Sequence, residues 1–285
     1  MPNAILDVLP PRYAQPLRAL RWDIVQELRL RAGQPILLKA VTGFTTLPQL
    51  LPQIAAAASA VVTAAELEAV LAAATRQSAY SAQETLRDGY VTLPGGHRIG
   101  ICGTCVQRSG ETYGMKDITS LNIRVAHDVS IEPMRLRSRL DDNLLIIGCP
   151  GSGKTTLLRN CIRALSERGQ CVCVADERGE IAAFDLGQNV DVLRGCGKQA
   201  AIERLLRTMA PDWIAVDEIS AEEDVRALEK CSYCGVRLLA TAHAANTDEL
   251  HQRRLYRELL ATGVFRRALV LRPDQTFSEE RLGYG

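Results

Sequence analysis

The sequence has 285 residues, 47% of them hydrophobic and 24% charged, so a packed core is expected and disorder over most of the chain is excluded. Its 34 basic and 33 acidic side chains nearly cancel, which argues against a dedicated nucleic-acid binder. The absence of any run of about 18 apolar residues excludes a bilayer-spanning helix.

Residues 1–130 are expected to form a small α+β domain. Residues 24–40 alternate apolar and polar side chains around a Gly-Gln-Pro turn and predict a β-hairpin. Thr63 and Glu66 have the spacing of a capping box, which predicts a helix reaching about residue 75. Residues 89–103 predict two strands around a Pro-Gly-Gly turn, and 120–125 predict another strand.

Residues 131–142 are expected to be a linker, because they carry a proline and several arginines. In residues 143–285, short apolar runs alternate with longer segments whose apolar residues recur with helical periodicity. The predicted strands are 143–147, 171–175, 213–216, 236–241 and 268–271, and the predicted helices are 154–168, 198–209, 221–231 and 247–261. This alternation predicts an α/β domain with a mostly parallel sheet flanked by helices.

The strongest motif lies between the strand at 143–147 and the helix at 154–168. It matches G-x-x-x-x-G-K-[ST], the Walker A pattern of a P-loop. Its glycines let successive amides point at one anion, and the positive end of the helix dipole adds to the attraction. The residues predicted to bind ATP are Gly148, Cys149, Pro150, Gly151, Ser152, Gly153, Lys154, Thr155 and Thr156. Lys154 is expected to reach the β- and γ-phosphates, and Thr155 to ligate Mg²⁺.

Two acids follow the apolar strand at 213–216, as in a Walker B strand. Asp217 is predicted to hold Mg²⁺ together with Thr155. Glu218 is predicted to orient and deprotonate an attacking water, which favours ATP hydrolysis over small-molecule kinase chemistry.

Polar side chains also follow two other predicted strands. Asp176 and Glu177 come after the strand at 171–175, and Thr241 and His243 close the strand at 236–241. Ligands of parallel sheets bind beyond the carboxyl ends of the strands, so these groups are expected to line the crevice that contains Lys154. Thr241 or His243 is expected to contact the γ-phosphate.

An arginine is expected to meet the charge that develops on the γ-phosphoryl group. The candidates are Arg98, Arg124 and Arg194, and Arg124 is preferred because it precedes the linker. Two C-x-x-C pairs, at residues 102–105 and 231–234, are interpreted as packing thiols, because their separation far exceeds the usual spacing in a zinc site.

The sequence resembles the stage III sporulation protein AA family, sporulation ATPases related to the type II and type IV secretion and pilus motors. The segments that carry the resemblance are ELRLRAGQPI near residue 30, QSAYSAQETLRDGYVTLPGGHRIGICG at 77–103, SLNIRVAHDV at 120–129, GCPGSGKTTLLRN at 148–160, ADERGEIAA at 175–183, VDEI and ATAHA. One departure is Cys149, where the family pattern has proline.

The resemblance implies a RecA-like P-loop ATPase core behind a small N-terminal domain. It implies a ring, a hexamer, with ATP at domain or subunit boundaries. It also implies catalytic roles for Glu177 in an acidic box, for His243 in a His box and for Glu218. The family location would be the cytoplasm, with contact to membrane components of a sporulation channel complex through partners.

Two other functions stay open at this point. A RecA-like core also serves nucleic-acid-stimulated ATPases, although near-neutral charge and few aromatic residues count against this function. A nucleotide-dependent scaffold with negligible turnover would carry the same loop.

Overall fold

The computed structural model describes residues 3–40, 43–50, 61–76, 89–108, 111–129, 139–272, 274 and 276–283. The chain divides into two compact units, Met1–His127 and Asp128–Gly285, called here the N-terminal and C-terminal units. Most of the predicted linker at 131–142 lies outside the described residues, as do residues 77–88 of the segment that carries the family resemblance.

The N-terminal unit contains one antiparallel sheet of six strands in the order β3-β2-β1-β6-β5-β4. The strands are β1 (Val25–Arg31), β2 (Leu37–Ala40), β3 (Gly43–Thr46), β4 (Tyr90–Thr92), β5 (Arg98–Arg108) and β6 (Glu111–Arg124). The helices are α1 (Asn3–Val8), α2 (Pro11–Leu17), α3 (Leu47–Leu50) and α4 (Ala64–Arg76). Alternate residues such as Leu28 and Ile123 face a core that also contains side chains of α1, α2 and α4.

The hairpin predicted at 24–40 is confirmed by the antiparallel pairing of β1 with β2. The capping box is confirmed as well. The Glu66 amide donates to Thr63 Oγ1 (3.2 Å), and the Thr63 amide donates to Glu66 Oε2 (2.9 Å). Helices α1 and α2 were not predicted, because both are short and α2 contains Pro16, a residue that usually breaks helices.

The C-terminal unit contains a seven-stranded sheet in the order β13-β12-β7-β11-β10-β8-β9. Its strands are β7 (Leu144–Gly148), β8 (Val172–Asp176), β9 (Val190–Arg194), β10 (Trp213–Val216), β11 (Arg237–His243), β12 (Arg267–Leu271) and β13 (Phe277–Arg281). Its helices are α5 (Lys154–Glu167), α6 (Lys198–Thr208), α7 (Glu222–Tyr233), α8 (Thr247–Gln252) and α9 (Arg254–Ala261). Only β13 pairs antiparallel, so the predicted mostly parallel sheet is confirmed.

Helices cover both faces of this sheet. In β7, Leu145 and Ile147 join a core with α6, α7 and α9, whereas Leu144 and Ile146 join a core with α5. All five residues of β7 are buried, which explains why this strand reads as a continuous apolar run.

Three features differ from the sequence prediction. The helix predicted at 247–261 is broken at Arg253, whose backbone is extended (φ −90°, ψ 126°), so α8 and α9 are separate helices. The strands β9 and β13 were not predicted, because they lie at the sheet edges and carry exposed or partly exposed polar residues.

No helix among the described residues is both long and apolar enough to cross a bilayer.

Candidate functional site

The carboxyl ends of the central strands of the C-terminal sheet meet at one edge. Gly148 at the end of β7 pairs with His243 at the end of β11. Val216 at the end of β10 pairs with Ala240 on one side and with Ala175 on the other. The predicted loop and the acids after β8 and β10 therefore come to the same edge of the sheet.

The segment 148–156, called the 148–156 loop, connects β7 to α5. Gly151 (φ 75°) and Gly153 (φ 98°) adopt left-handed backbone conformations that other residues rarely take. The Ser152 amide donates to the Cys149 carbonyl (3.2 Å), which closes the turn. α5 begins at Lys154, so the N-terminal end of this helix lies directly behind the loop.

Gly148 has no room for a side chain. A Cβ there would lie 2.6 Å from Ser152 Oγ and 2.9 Å from the Leu271 carbonyl oxygen, which belongs to β12. We expect Gly148→Ala to lower the free energy of unfolding by about 1–3 kcal/mol and to weaken nucleotide binding, because the loop must shift. Urea unfolding and titration with a fluorescent ATP analogue would measure both. Gly114→Ala is the control, since nothing lies near its Cβ; equal behaviour of the two variants would contradict the prediction.

Lys154 is buried beneath the 148–156 loop. Its Nζ donates to the carbonyls of Gly148 (3.0 Å) and Cys149 (2.9 Å). It also lies 2.9 Å from Nδ1 of His243. Burial lowers the pKa of Lys154, whereas the charges of Asp217 and Glu218 act in the opposite direction. The ammonium group is therefore held at the strand edge by oxygen and nitrogen acceptors.

The two predicted Mg²⁺ ligands are in contact. Thr155 Oγ1 donates to Asp217 Oδ2 at 2.9 Å, across 62 positions of the sequence. A hydroxyl beside a carboxylate is a set of hard oxygen donors, and Mg²⁺ prefers such donors. The side chains present therefore fit this cation. Thr156 faces elsewhere, because its Oγ1 accepts a bond from Arg159 (3.1 Å).

Glu218 has a strained backbone and a carboxylate with two partners. Its φ of 49° is left-handed, a conformation that costs a non-glycine residue about 1–3 kcal/mol and often marks a functional site. Its Oε2 lies 3.2 Å from Nη1 of Arg178, and its Oε1 lies 3.3 Å from Nε2 of His243. Because an ammonium group can only donate, Nδ1 of His243 accepts from Lys154, which leaves Nε2 to donate to Glu218.

Thr241 is fully buried, and its hydroxyl forms hydrogen bonds with Asp217 and Glu218. It donates to Asp217 Oδ1 (2.6 Å) and accepts from the Glu218 amide (2.8 Å). The single hydroxyl hydrogen is thus directed at Asp217 rather than towards a phosphate. Of the two residues considered for a γ-phosphate contact, His243 is the one at the very end of β11.

A small cleft that is open to solvent lies beside these acids. Its lining residues are Ala175, Asp176, Glu177, Arg178, Glu180, Lys198, Asp217 and Glu218. Glu177 forms an ion pair with Lys198 (3.4 Å). Asp176 is buried and accepts from the amides of Glu180 (3.0 Å) and Ala182 (2.9 Å). Asp176 therefore fixes the turn that carries Glu177.

The predicted arginines have different surroundings. Arg98 stacks on Tyr90 (4.4 Å to the ring centre), and Arg124 is exposed at the end of β6, both in the N-terminal unit. Arg194 donates to the Ala182 carbonyl (2.7 Å). Among the described residues of the C-terminal unit, Arg178 contacts Glu218; the sequence predicts it among the charges that line this crevice, but not as a candidate for the γ-phosphate. Its place directly after Glu177 was the available signal.

The cysteines of the two C-x-x-C pairs are free thiols. Cys102 and Cys105 lie exposed on β5, whereas burial raises the pKa of Cys231 to about 12. Within the part of the chain that the structure describes, no group of three or more His, Cys, Asp or Glu side chains has the arrangement of a metal site.

Solved structures with a similar fold include an ATPase and a pilus retraction motor. The Legionella pneumophila ATPase DotB superposes with a TM-score of 0.60 at 15% identity, covering 96% of this chain and 80% of that one. The pilus retraction motor PilT, solved with bound ADP, gives a TM-score of 0.57 at 14% identity, covering 86% and 73%. The fold is therefore a RecA-like P-loop core preceded by a small α+β domain.

Sequence comparison identifies the family. The family model "Sporulation stage III, protein AA" matches residues 6–281. Stage III sporulation protein AA of Bacillus subtilis (strain 168) is 33% identical over 289 residues, covering 94% of this chain and 90% of that protein. The chain therefore belongs to the stage III sporulation protein AA family.

Proposed function

We propose that this chain hydrolyses ATP with Mg²⁺ and uses the energy to assemble or operate a membrane-associated secretion or channel complex in sporulation. The observation that carries the proposal is the contact between Thr155 and Asp217 (2.9 Å), which joins the 148–156 loop to the turn after β10 that contains Glu218. Family membership supports the link to sporulation, and the ATPase fold supports nucleotide chemistry.

In this proposal the 148–156 loop binds the phosphates. Its backbone amides and the N-terminal end of α5 attract the anion, and Lys154 offsets the charge of the β- and γ-phosphates. Thr155 and Asp217 would hold Mg²⁺, which supplies further charge neutralisation when bound.

Glu218 acts as the base in this proposal. Its carboxylate accepts a proton from the attacking water, and its contacts with Arg178 and His243 fix its direction. Arg178 also places a positive charge beside the cleft. Glu177, at the cleft wall and paired with Lys198, is proposed as a further acidic group of the catalytic site.

The working form is proposed to be a ring of identical subunits, a hexamer, in the cytoplasm. In such a ring Arg124, exposed on the N-terminal unit, would supply charge to a nucleotide. Membrane components of the sporulation channel complex are the proposed partners.

Mass measurement by light scattering, combined with phosphate release, tests this proposal. ATP and Mg²⁺ together are expected to convert the 31.2 kDa chain into a ring, with slow turnover that rises on assembly or on addition of a channel component. Stimulation by DNA or RNA instead would favour the nucleic-acid-dependent ATPase. A ring without phosphate release would favour the scaffold.

A further inference from the structure

Thr241 lies near the C-terminal end of β11 and contacts all three residues that follow β10, namely Asp217, Glu218 and Ile219. Its hydroxyl donates to Asp217 Oδ1 (2.6 Å) and accepts from the Glu218 amide (2.8 Å). Its carbonyl accepts from the Ile219 amide (2.8 Å). The side chain is fully buried, so water does not replace these bonds.

These bonds fix two carboxylates at once. Asp217 is held from opposite sides, with Oδ2 bonded to Thr155 of the 148–156 loop and Oδ1 bonded to Thr241 of β11. Glu218 is held through its backbone at a φ of 49°, a conformation that persists only where its surroundings stabilise it. The bonds to Thr241 hold the backbone of this turn against β11, and His243 contacts the Glu218 carboxylate from the same strand.

A second side chain supports the same junction. The Oη of Tyr256, a buried residue of α9, accepts from the His243 amide (3.0 Å) and lies 3.5 Å from the Ile219 carbonyl. Thr241 and Tyr256 together join the strand end that carries His243 to the turn that carries Glu218. Thr241 is the one whose side chain reaches the acids themselves.

We propose that Thr241 is a positioning residue, whose hydroxyl holds Asp217 and Glu218 in place relative to Thr155. The inference rests on the proposed function for its catalytic meaning. Valine has nearly the shape of threonine but can neither donate to Asp217 nor accept from the Glu218 amide, and both half-buried residues would lose the partner that the buried Thr241 hydroxyl provides. Serine retains both bonds.

Thr241→Val and Thr241→Ser are the test. Groups that orient the residues of a metal site change affinity or activity by about 10- to 100-fold when removed. We expect the valine variant to lose turnover by about that factor with little change in KM. We also expect that a correspondingly higher Mg²⁺ concentration is needed before Mg²⁺ changes the affinity of the variant for a fluorescent ATP analogue. Binding in EDTA should stay unchanged, because the 148–156 loop is untouched.

The serine variant is expected to behave like the wild type. Thr208→Val is the matched control, since the Thr208 hydroxyl donates to the Arg204 carbonyl of its own helix (2.9 Å), away from the acids after β10. Wild-type turnover and Mg²⁺ response in Thr241→Val would overturn the inference. So would a serine variant as impaired as the valine variant, because the methyl group rather than the hydroxyl would then matter.

Melting temperatures test the coupling without nucleotide. Thr241→Val and Asp217→Ala are each expected to lower the melting temperature, and the double variant should lower it by less than the sum, because both changes remove the bond between the Thr241 hydroxyl and Asp217 Oδ1. Strict additivity would overturn the inference even if the protein hydrolyses ATP. Conversely, a wild type that binds nucleotide without hydrolysing it would refute the proposed hydrolysis, while the Mg²⁺ response and this cycle would still decide the role of Thr241.

Discussion

Replacing Glu218 by glutamine is expected to reduce ATP turnover by about 100-fold or more while ATP binding is retained. Glutamine keeps the shape of the side chain but cannot accept a proton from the attacking water. The backbone bonds at Glu218 do not involve the carboxylate, so the turn after β10 should keep its conformation. Phosphate release and titration with a fluorescent ATP analogue would separate turnover from binding.

The matched control for this variant is Glu258→Gln. Glu258 lies on α9 and pairs with Arg254 (2.9 Å), and no part of the cleft lining includes it. This control should retain wild-type turnover. Equal phosphate release by Glu218→Gln and the wild type would contradict the role of Glu218 as base, and a low, equal rate in both is what a scaffold would give.

The contiguous motifs of the site could be read from the sequence because their chemistry is local. The 148–156 loop has its glycines, lysine and threonine in one segment, and the strand before it is apolar because both of its faces are covered. The same holds for Asp217 and Glu218 after β10. The burial pattern and the motifs together therefore predict the edge of the sheet at which the site lies.

The pairing of side chains across the sheet could not be predicted in the same way. Thr241 and His243 are two positions apart on β11 and so share one face, and only their depth along the strand separates them. Thr241 reaches Asp217 across 24 positions, and Arg178 reaches Glu218 across 40. Such contacts depend on register and on loop geometry, which no local pattern specifies.

The fold was predictable where elements are central and less so at the edges. The buried strands β7, β8, β10, β11 and β12 have apolar sequences, whereas β13 contains Ser278, Glu279 and Glu280 at a sheet edge. The break at Arg253 has no glycine or proline to mark it, so the sequence pattern runs through it as one helix. Whole-chain composition does not predict such local breaks or edge strands either.

Replacing Lys154 by alanine is expected to weaken ATP binding by at least about 30-fold, which corresponds to ~2 kcal/mol. The ammonium group lies at the base of the 148–156 loop, 3.0 Å from the Gly148 carbonyl, where it would meet the phosphates. No other lysine contacts this loop among the residues that the structure describes. Titration with a fluorescent ATP analogue, with and without Mg²⁺, would measure the loss.

The thermal stability of Lys154→Ala without nucleotide separates a binding defect from misfolding. Burial lowers the pKa of Lys154, so the folded state disfavours its charge, but the ammonium also donates to the carbonyls of Gly148 and Cys149. These two effects oppose each other, so the variant is expected to unfold in a single cooperative transition close to that of the wild type. Lys230→Ala is the control, because Lys230 lies exposed on α7 beside Glu203 (3.3 Å). A folded Lys154→Ala variant with wild-type affinity would show that the phosphates bind elsewhere, and the proposed site would then be wrong.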